Sequence, residues 1–173
     1  EFPIQQVAGL TLRRQLGTTY IYENERALPR AFVVHRVRAA TSGEEALATL
    51  EGLHPALEAV VEGGKELAGA AEPDQTQIVS YSPNHVTVAA ELATPGLLVI
   101  SEIWYPGWRA WDNGREVPIY RTDYVLRGIY LEAGRHTVEL NYDPVSLKAG
   151  GAISTLAWVG LGVALVWLRR RGR

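Results

Sequence analysis

The chain has 173 residues, enough for one domain with a substantial apolar core. It holds no cysteine, which excludes disulfides, thiolate metal sites and a cysteine nucleophile. All 19 acidic residues and 13 of the 17 basic ones precede the final apolar run, so that part carries −6 and the tail +4, which excludes a phosphate-backbone footprint and leaves no nucleic-acid partner expected.

In chain order, residues 10–16 and 19–23 flank Gly17 and Thr18 and are expected to form a hairpin. Pro29 starts an extended passage, and Phe32, Val33, Val34 and Val37 predict one strand over 31–38. Ser42 followed by Glu45 is a capping box, predicting a short helix over 43–51. A short strand is expected over 59–62, and the small, polar residues 63–74 are expected as a surface loop.

From Thr76 the pattern is strongly β. A strand over 76–82 closes at the turn Ser82, Pro83, Asn84. In residues 85–92, Val86, Val88, Ala90 and Leu92 alternate with Thr87, Ala89 and Glu91, the signature of a half-buried antiparallel strand. Residues 97–100 form an apolar strand, interrupted by Pro106 and Gly107 and turned back by Asp112, Asn113 and Gly114. Residues 125–131 and 135–142 form another hairpin. Short strands with turns every eight to twelve residues predict a mainly β fold, an antiparallel β-sandwich of jelly-roll type with one short inserted helix.

Residues 149–168, AGGAISTLAWVGLGVALVWL, carry no charge. A helix of that length spans ~30 Å, the thickness of a bilayer's hydrocarbon core. Arg169, Arg170, Arg171 and Arg173 follow at once and belong on the cytoplasmic side. The expected organisation is an extracytoplasmic domain over 1–146, a transmembrane helix over 147–168 and a basic cytoplasmic tail over 169–173. Trp167, Arg169, Arg170 and Arg171 are expected to anchor the helix at the membrane surface. A domain exported ahead of such an anchor needs an upstream export signal, so the chain is expected to be the C-terminal part of a longer protein. Its expected partners are membrane lipid and the preceding transmembrane region.

Trp104, Tyr105, Trp108 and Trp111 lie within eight residues. Such rings stack on sugar faces, and they equally fill a sandwich core. Strand alternation sends Trp104 and Tyr105 to opposite faces. The expected sugar contact is therefore whichever of Trp108 and Trp111 faces outward. Arg30 and Arg121 sit in strand-like apolar contexts that suit either an ion pair or a ligand, and Arg121 joins the two tryptophans as a possible glycan contact. Glu102, Asp112 and Asp123 are the carboxylates nearest this stretch; a pair of them would suit glycosidic acid/base chemistry, but nothing in the spacing brings two together. His35, His54, His85 and His136 form no metal-binding spacing. No catalytic residue, metal or cofactor is expected.

Three stretches carry a resemblance. Tyr22 to Phe32, YENERALPRAF, resembles the Y-E-N-x-x-A-L-P-R-A-F signature of the YfhO family of bacterial multi-spanning membrane proteins. Trp104 to Ala110, WYPGWRA, resembles its Y-P-G-W-x-A motif, and Tyr120 to Gly128, YRTDYVLRG, its Y-R-A-x-Y-x-x-R-G run. The turn departs from the family's usual V-D-G, reading Asp112, Asn113, Gly114 here. The resemblance implies a bacterial cell-membrane protein similar to lipid-linked-sugar glycosyltransferases acting on cell-envelope polymers such as lipoteichoic acid. It implies a catalytic acid in an early external loop of the membrane part, which these residues do not include. This chain would be a non-catalytic accessory domain; the alternative is a carbohydrate-binding or purely structural envelope module.

Overall fold

The structure is a computed structural model and describes residues 9–70 and 73–171. Residues 1–8, Ala71 and Glu72 of the expected loop, and Arg173 of the basic tail lie outside the described residues. The fold is mainly β, with a C-terminal apolar helix.

Strands β1 (Leu10–Leu16) and β2 (Thr19–Asn24) form the expected hairpin, a separate two-stranded sheet. The expected strand over 31–38 is two strands, β3 (Ala31–Val34) and β4 (Arg36–Ala40). Buried His35 is the break. Its Nε2 lies 2.6 Å from Asp74 Oδ2 and its Nδ1 lies 3.0 Å from the Pro95 carbonyl oxygen. Tying both ring nitrogens holds the chain where it changes neighbours.

Helix α1 (Gly43–Leu50) begins as expected, with Ser42 Oγ accepting from the Glu45 N–H. The return bond differs. Glu45 Oε2 accepts from the N–H and hydroxyl of Thr41, which lowers the Glu45 carboxyl pKa. Strand β5 (Glu58–Glu62) is buried at Ala59, Val60 and Val61, so both its faces are covered. It pairs in parallel with β4, and α1 is the crossover between them. The sandwich thus contains one β–α–β unit that alternation alone did not reveal. The expected loop over 63–74 holds a short strand, β6 (Leu67–Ala68), on the edge of β4.

Strands β7 (Gln75–Ser82) and β8 (His85–Leu92) form a bulged antiparallel pair. Then come β9 (Gly96–Ile100), β10 (Trp108–Asp112), β11 (Arg115–Val117), β12 (Tyr120–Thr122), β13 (Leu126–Leu131) and β14 (Gly134–Tyr142). Two sheets result. One has the order β11-β10-β14-β8-β7, the other β3-β9-β13-β12-β5-β4-β6.

Alternation decides which side chains meet between them. Leu98 and Ile100 of β9, Ile129 and Leu131 of β13, Val86 and Val88 of β8, and Val138 and Leu140 of β14 form one buried cluster between the layers. Leu97 and Val99 point to the opposite side of the seven-stranded sheet, where Val61 and Ala59 join them under Phe32, Tyr120 and Tyr130. Helix α1 packs Ala46 on Ala40 and Val60. Helix α2 (Val145–Arg171) starts three residues after β14 and is long and apolar enough to cross a membrane. It includes Arg169, Arg170 and Arg171 in its last turn.

Candidate functional site

The connection 101–107 crosses from β9 in one sheet to β10 in the other. Its aromatic neighbours therefore part company. Trp108 shares its strand face with buried Ala110 and packs against the interlayer core. Its ring lies 3.9 Å from the Arg127 guanidinium carbon and 5.5 Å from the Tyr142 ring. Arg127 is only 5 % exposed. Its Nε donates to the Ile103 carbonyl at 3.0 Å, and its Nη1 donates to Glu102 Oε2 at 3.2 Å. The other Glu102 oxygen accepts from Arg30 Nη1 at 3.3 Å. Arg30 in turn lies over the Tyr81 ring at 5.1 Å.

The register places Arg121 directly opposite Arg127 on neighbouring strands. Arg121 carries its own pair of partners, with the Trp104 ring at 5.0 Å and Glu62 Oε1 at 3.5 Å. Two arginines side by side are thus each faced by a tryptophan and neutralised by a glutamate. Burial pulls the Arg127 pKa down, and the Glu102 charge opposes that shift. The hydrogen bond and charge of Glu102 push the Tyr81 phenol up. Guanidinium, ring and carboxylate satisfy one another here, which is the chemistry of a brace.

The brace sits where the domain becomes the helix. The Asp143 N–H donates to the Gly107 carbonyl at 2.7 Å, and the Tyr105 and Tyr142 rings are 6.4 Å apart. Gly107 has φ +103°, and a Cβ there would meet both Tyr142 Cε2 and Pro144 Cβ at 3.1 Å. Glycine at 107 is therefore required both by the backbone conformation and by the closeness of the junction.

Of the sequence-named glycan contacts, Trp108 and Arg121 fall inside this cluster and Trp111 does not. Trp111 pairs with Glu139, which pairs with Thr87, on the outer face of the five-stranded sheet. The Arg109 guanidinium lies over its ring at 5.1 Å. Trp108 is thus the inward ring and Trp111 the outward one. The structure also shows a groove of about 690 Å³ on the five-stranded sheet, lined by Asp74, Gln75, Gln77, Ala89, Glu91 and Arg135 among others. Asp74 is nine-tenths buried, and its Oδ1 has no hydrogen-bond partner.

The three carboxylates named from the sequence each have different partners. Glu102 belongs to the brace. Asp112 holds His136 Nδ1 at 2.9 Å. Asp123 Oδ1 accepts from the Val60 N–H at 2.8 Å, and the Asp123 N–H donates to the Val60 carbonyl at 2.8 Å. Burial pushes the Asp123 carboxyl above its usual range, and the Val60 bond offsets this in part. A carboxyl whose folded-state pKa is raised holds its proton more tightly in the native state, so ionising it reduces stability as pH rises through that pKa. Asp123→Asn keeps the acceptor and suits the positive φ of 47°. It is therefore expected to raise the melting temperature at pH 7, with the gain shrinking as pH falls to the unfolded carboxylate range; thermal melts across that range check it.

His85 is tied to Asn141 at 2.6 Å, and Arg30 and Arg121 are both in ion pairs. Among the described residues no group of three His, Cys, Asp or Glu side chains is placed to hold a metal ion. In α2 the Arg171 guanidinium lies 3.9 Å from the Trp167 ring. Sequence reasoning marked Arg127 only as the arginine of the R-G run in the family resemblance, gave it no role, and did not single out Tyr81. A further signal for Arg127 is its place in LRGIYL, where alternation aligns it with inward Ile129 and Leu131.

Compared with known proteins, residues 65–154, just over half of the chain, match the family model described as "Bacterial membrane protein YfhO". The match contains the connection 101–107 and both arginines of the brace; the stretch from Tyr22 to Phe32 lies outside it. No curated protein and no solved structure matches.

Proposed function

The chain belongs to the YfhO family of bacterial membrane proteins, and from that premise we propose that it is the non-catalytic, extracytoplasmic accessory domain of a lipid-linked-sugar glycosyltransferase acting on a cell-envelope polymer. The carrying observation is where the family-like motifs go. The YPGW and YR…RG stretches meet in one brace at the root of α2, where every charged group is engaged by a neighbour. They hold the domain's attitude over the membrane and leave the transfer chemistry to the preceding membrane part. The four arginines after the apolar run support a cytoplasmic C-terminus and hence an extracytoplasmic domain.

Two measurements test this. A single cysteine at Glu132, in a chain with none of its own, is expected to react with a membrane-impermeant maleimide on intact cells. Labelling only after lysis would sink the sidedness. Membranes carrying the longer protein are expected to lose polymer glycosylation several-fold on Trp108→Ala, with donor binding retained. Unchanged transfer in a variant whose brace is shown to be disrupted would sink the accessory role.

A second reading is favoured by the outward Trp111 and the groove beside it. The amides of Gln75 and Gln77 line the groove and offer hydrogen bonds to sugar hydroxyls. In this reading the domain holds the acceptor polymer on its outer sheet. Saturation-transfer NMR with envelope polysaccharide is expected to lose its signal on Trp111→Ala; no signal from the unaltered protein removes this reading.

A further inference from the structure

Four large apolar side chains stand exposed on the helix-proximal end of the domain: Ile103 at 71 %, Tyr105 at 60 %, Val125 at 45 % and Tyr124 at 42 %. They occupy two adjoining segments, because the Trp104 N–H donates to the Val125 carbonyl at 2.6 Å. The first segment is locked to the root of α2 by the bond from Asp143 to Gly107 and by the approach of Tyr105 to Tyr142. Val145 and Leu147, the first apolar residues of α2, are themselves 78 % and 73 % exposed. The connection 101–107 thus places Ile103 and Tyr105 beside the start of α2, and the Trp104–Val125 bond holds the turn 123–125 next to that connection.

We propose that the connection 101–107 and the turn 123–125 dock on the lipid interface of the bilayer that α2 crosses, so that the domain stands on the membrane at two places instead of hanging from one helix. The occupant follows from this placement. The uncharged run of α2 opens at Ala149, just after Lys148 pairs with Asp143, so the hydrocarbon boundary lies about two helical turns from Tyr142, and the Tyr105 ring is 6.4 Å from that of Tyr142. Tyrosine suits that depth, with an apolar ring and a polar tip. Ile103 and Val125 gain by taking their exposed apolar surface out of water. The Trp104 N–H and the carbonyls of Val125 and Gly107 are already paired within the domain, so those groups need no water. The brace behind them supplies stiffness: Arg127 holds the Ile103 carbonyl, and Trp104 lies against Arg121.

The proposal rests on α2 crossing the bilayer, and the experiment reads that separately. Single cysteines at Ile103, Tyr105, Val125, Ala157 and Glu132 are spin-labelled in the full chain, reconstituted in phosphatidylethanolamine–phosphatidylglycerol vesicles. Collisions with oxygen and with a water-soluble nickel chelate then report depth. Glu132 lies beyond the far end of the nine-residue β14, about 30 Å from the junction, and serves as the aqueous reference. Labels at 103, 105 and 125 are expected to show an oxygen-to-nickel ratio several-fold above that at 132, at a depth of roughly 5–10 Å, with 157 deeper still. Three independent positions keep the test open should one variant misfold. Nickel access at 103, 105 and 125 equal to that at 132 overturns the docking while leaving the crossing intact. Labels closed to both reagents also overturn it, because protein then covers the patch. An aqueous label at 157 overturns the crossing and the docking together.

Discussion

Replacing Gly128 with alanine is expected to cost about 3 kcal/mol of stability, the upper end for overpacking a close-packed core. Gly128 is buried in β13 opposite Tyr120 of β12. An added Cβ would fall far inside van der Waals contact of Thr122 Oγ1 and lie 3.1 Å from Leu97 Cδ1. Thr122 is fully buried, and its hydroxyl sits on a stiff, branched Cβ, so it cannot swing aside. Leu97 is fully buried on β9 and equally hemmed in. Thermal or denaturant unfolding measures the loss. If steric conflict is the cause, adding Thr122→Ala to Gly128→Ala restores part of the lost stability; a double variant no better than the single one points to a different origin.

Arg127→Ala is expected to cost a similar amount, about 3 kcal/mol, at the lower end for breaking a buried ion pair. The substitution removes the stack on Trp108, the bond to the Ile103 carbonyl and the pair with Glu102. The largest part of the cost is the Glu102 charge, which is left 14 % exposed with Arg30 and the Tyr81 hydroxyl as its remaining partners. The double variant Arg127→Met with Glu102→Leu removes both charges and should recover at least half of the loss. Recovery in the double variant together with failure of polymer glycosylation would separate the brace's geometry from its contribution to stability. A cost below about 0.5 kcal/mol for Arg127→Ala would place this pair among ordinary surface ion pairs.

The two substitutions probe neighbouring residues that do unlike things, and the difference shows what the amino-acid pattern made legible. Local signals carried well. The alternation of Val86, Val88, Ala90 and Leu92 became the buried face of β8, and Ser42 with Glu45 began α1. The run ahead of the terminal arginines became one long helix. These features depend on neighbours a few positions apart, and short-range periodicity reports them directly. Pairing across long separations was not legible. The break at His35 is set by Asp74 and Pro95, respectively 39 and 60 positions away. The parallel pairing of β4 with β5 depends on α1 folding back as a crossover, while the strands themselves are as short as their antiparallel neighbours.

The candidate site was half legible for the same reason. Period two split the tryptophans between two faces, and Trp108 and Trp111 do lie on opposite sides of β10. Which of them faces the core depends on β10 joining the second sheet, and that follows from its pairing with β14. Glu102 and Arg121 were named without partners. Their partners, Arg127 and Glu62, are delivered by register across β13, β12 and β5. A pattern of residue types carries the aromatic and charged content of such a brace. It does not carry the cross-strand alignment that makes each ion meet its counterion.

The aromatic and arginine motifs are proposed to fix the domain rigidly to the root of α2. Hydrogen exchange at the junction tests it most directly. The Asp143 amide donates to Gly107 and the Tyr142 amide to Asn84. In the full chain reconstituted in vesicles, both are expected to exchange as slowly as amides within β9, and to accelerate together on Arg127→Ala. Exchange at the rate of an unstructured peptide in the unaltered protein would make the junction a free hinge and contradict the account.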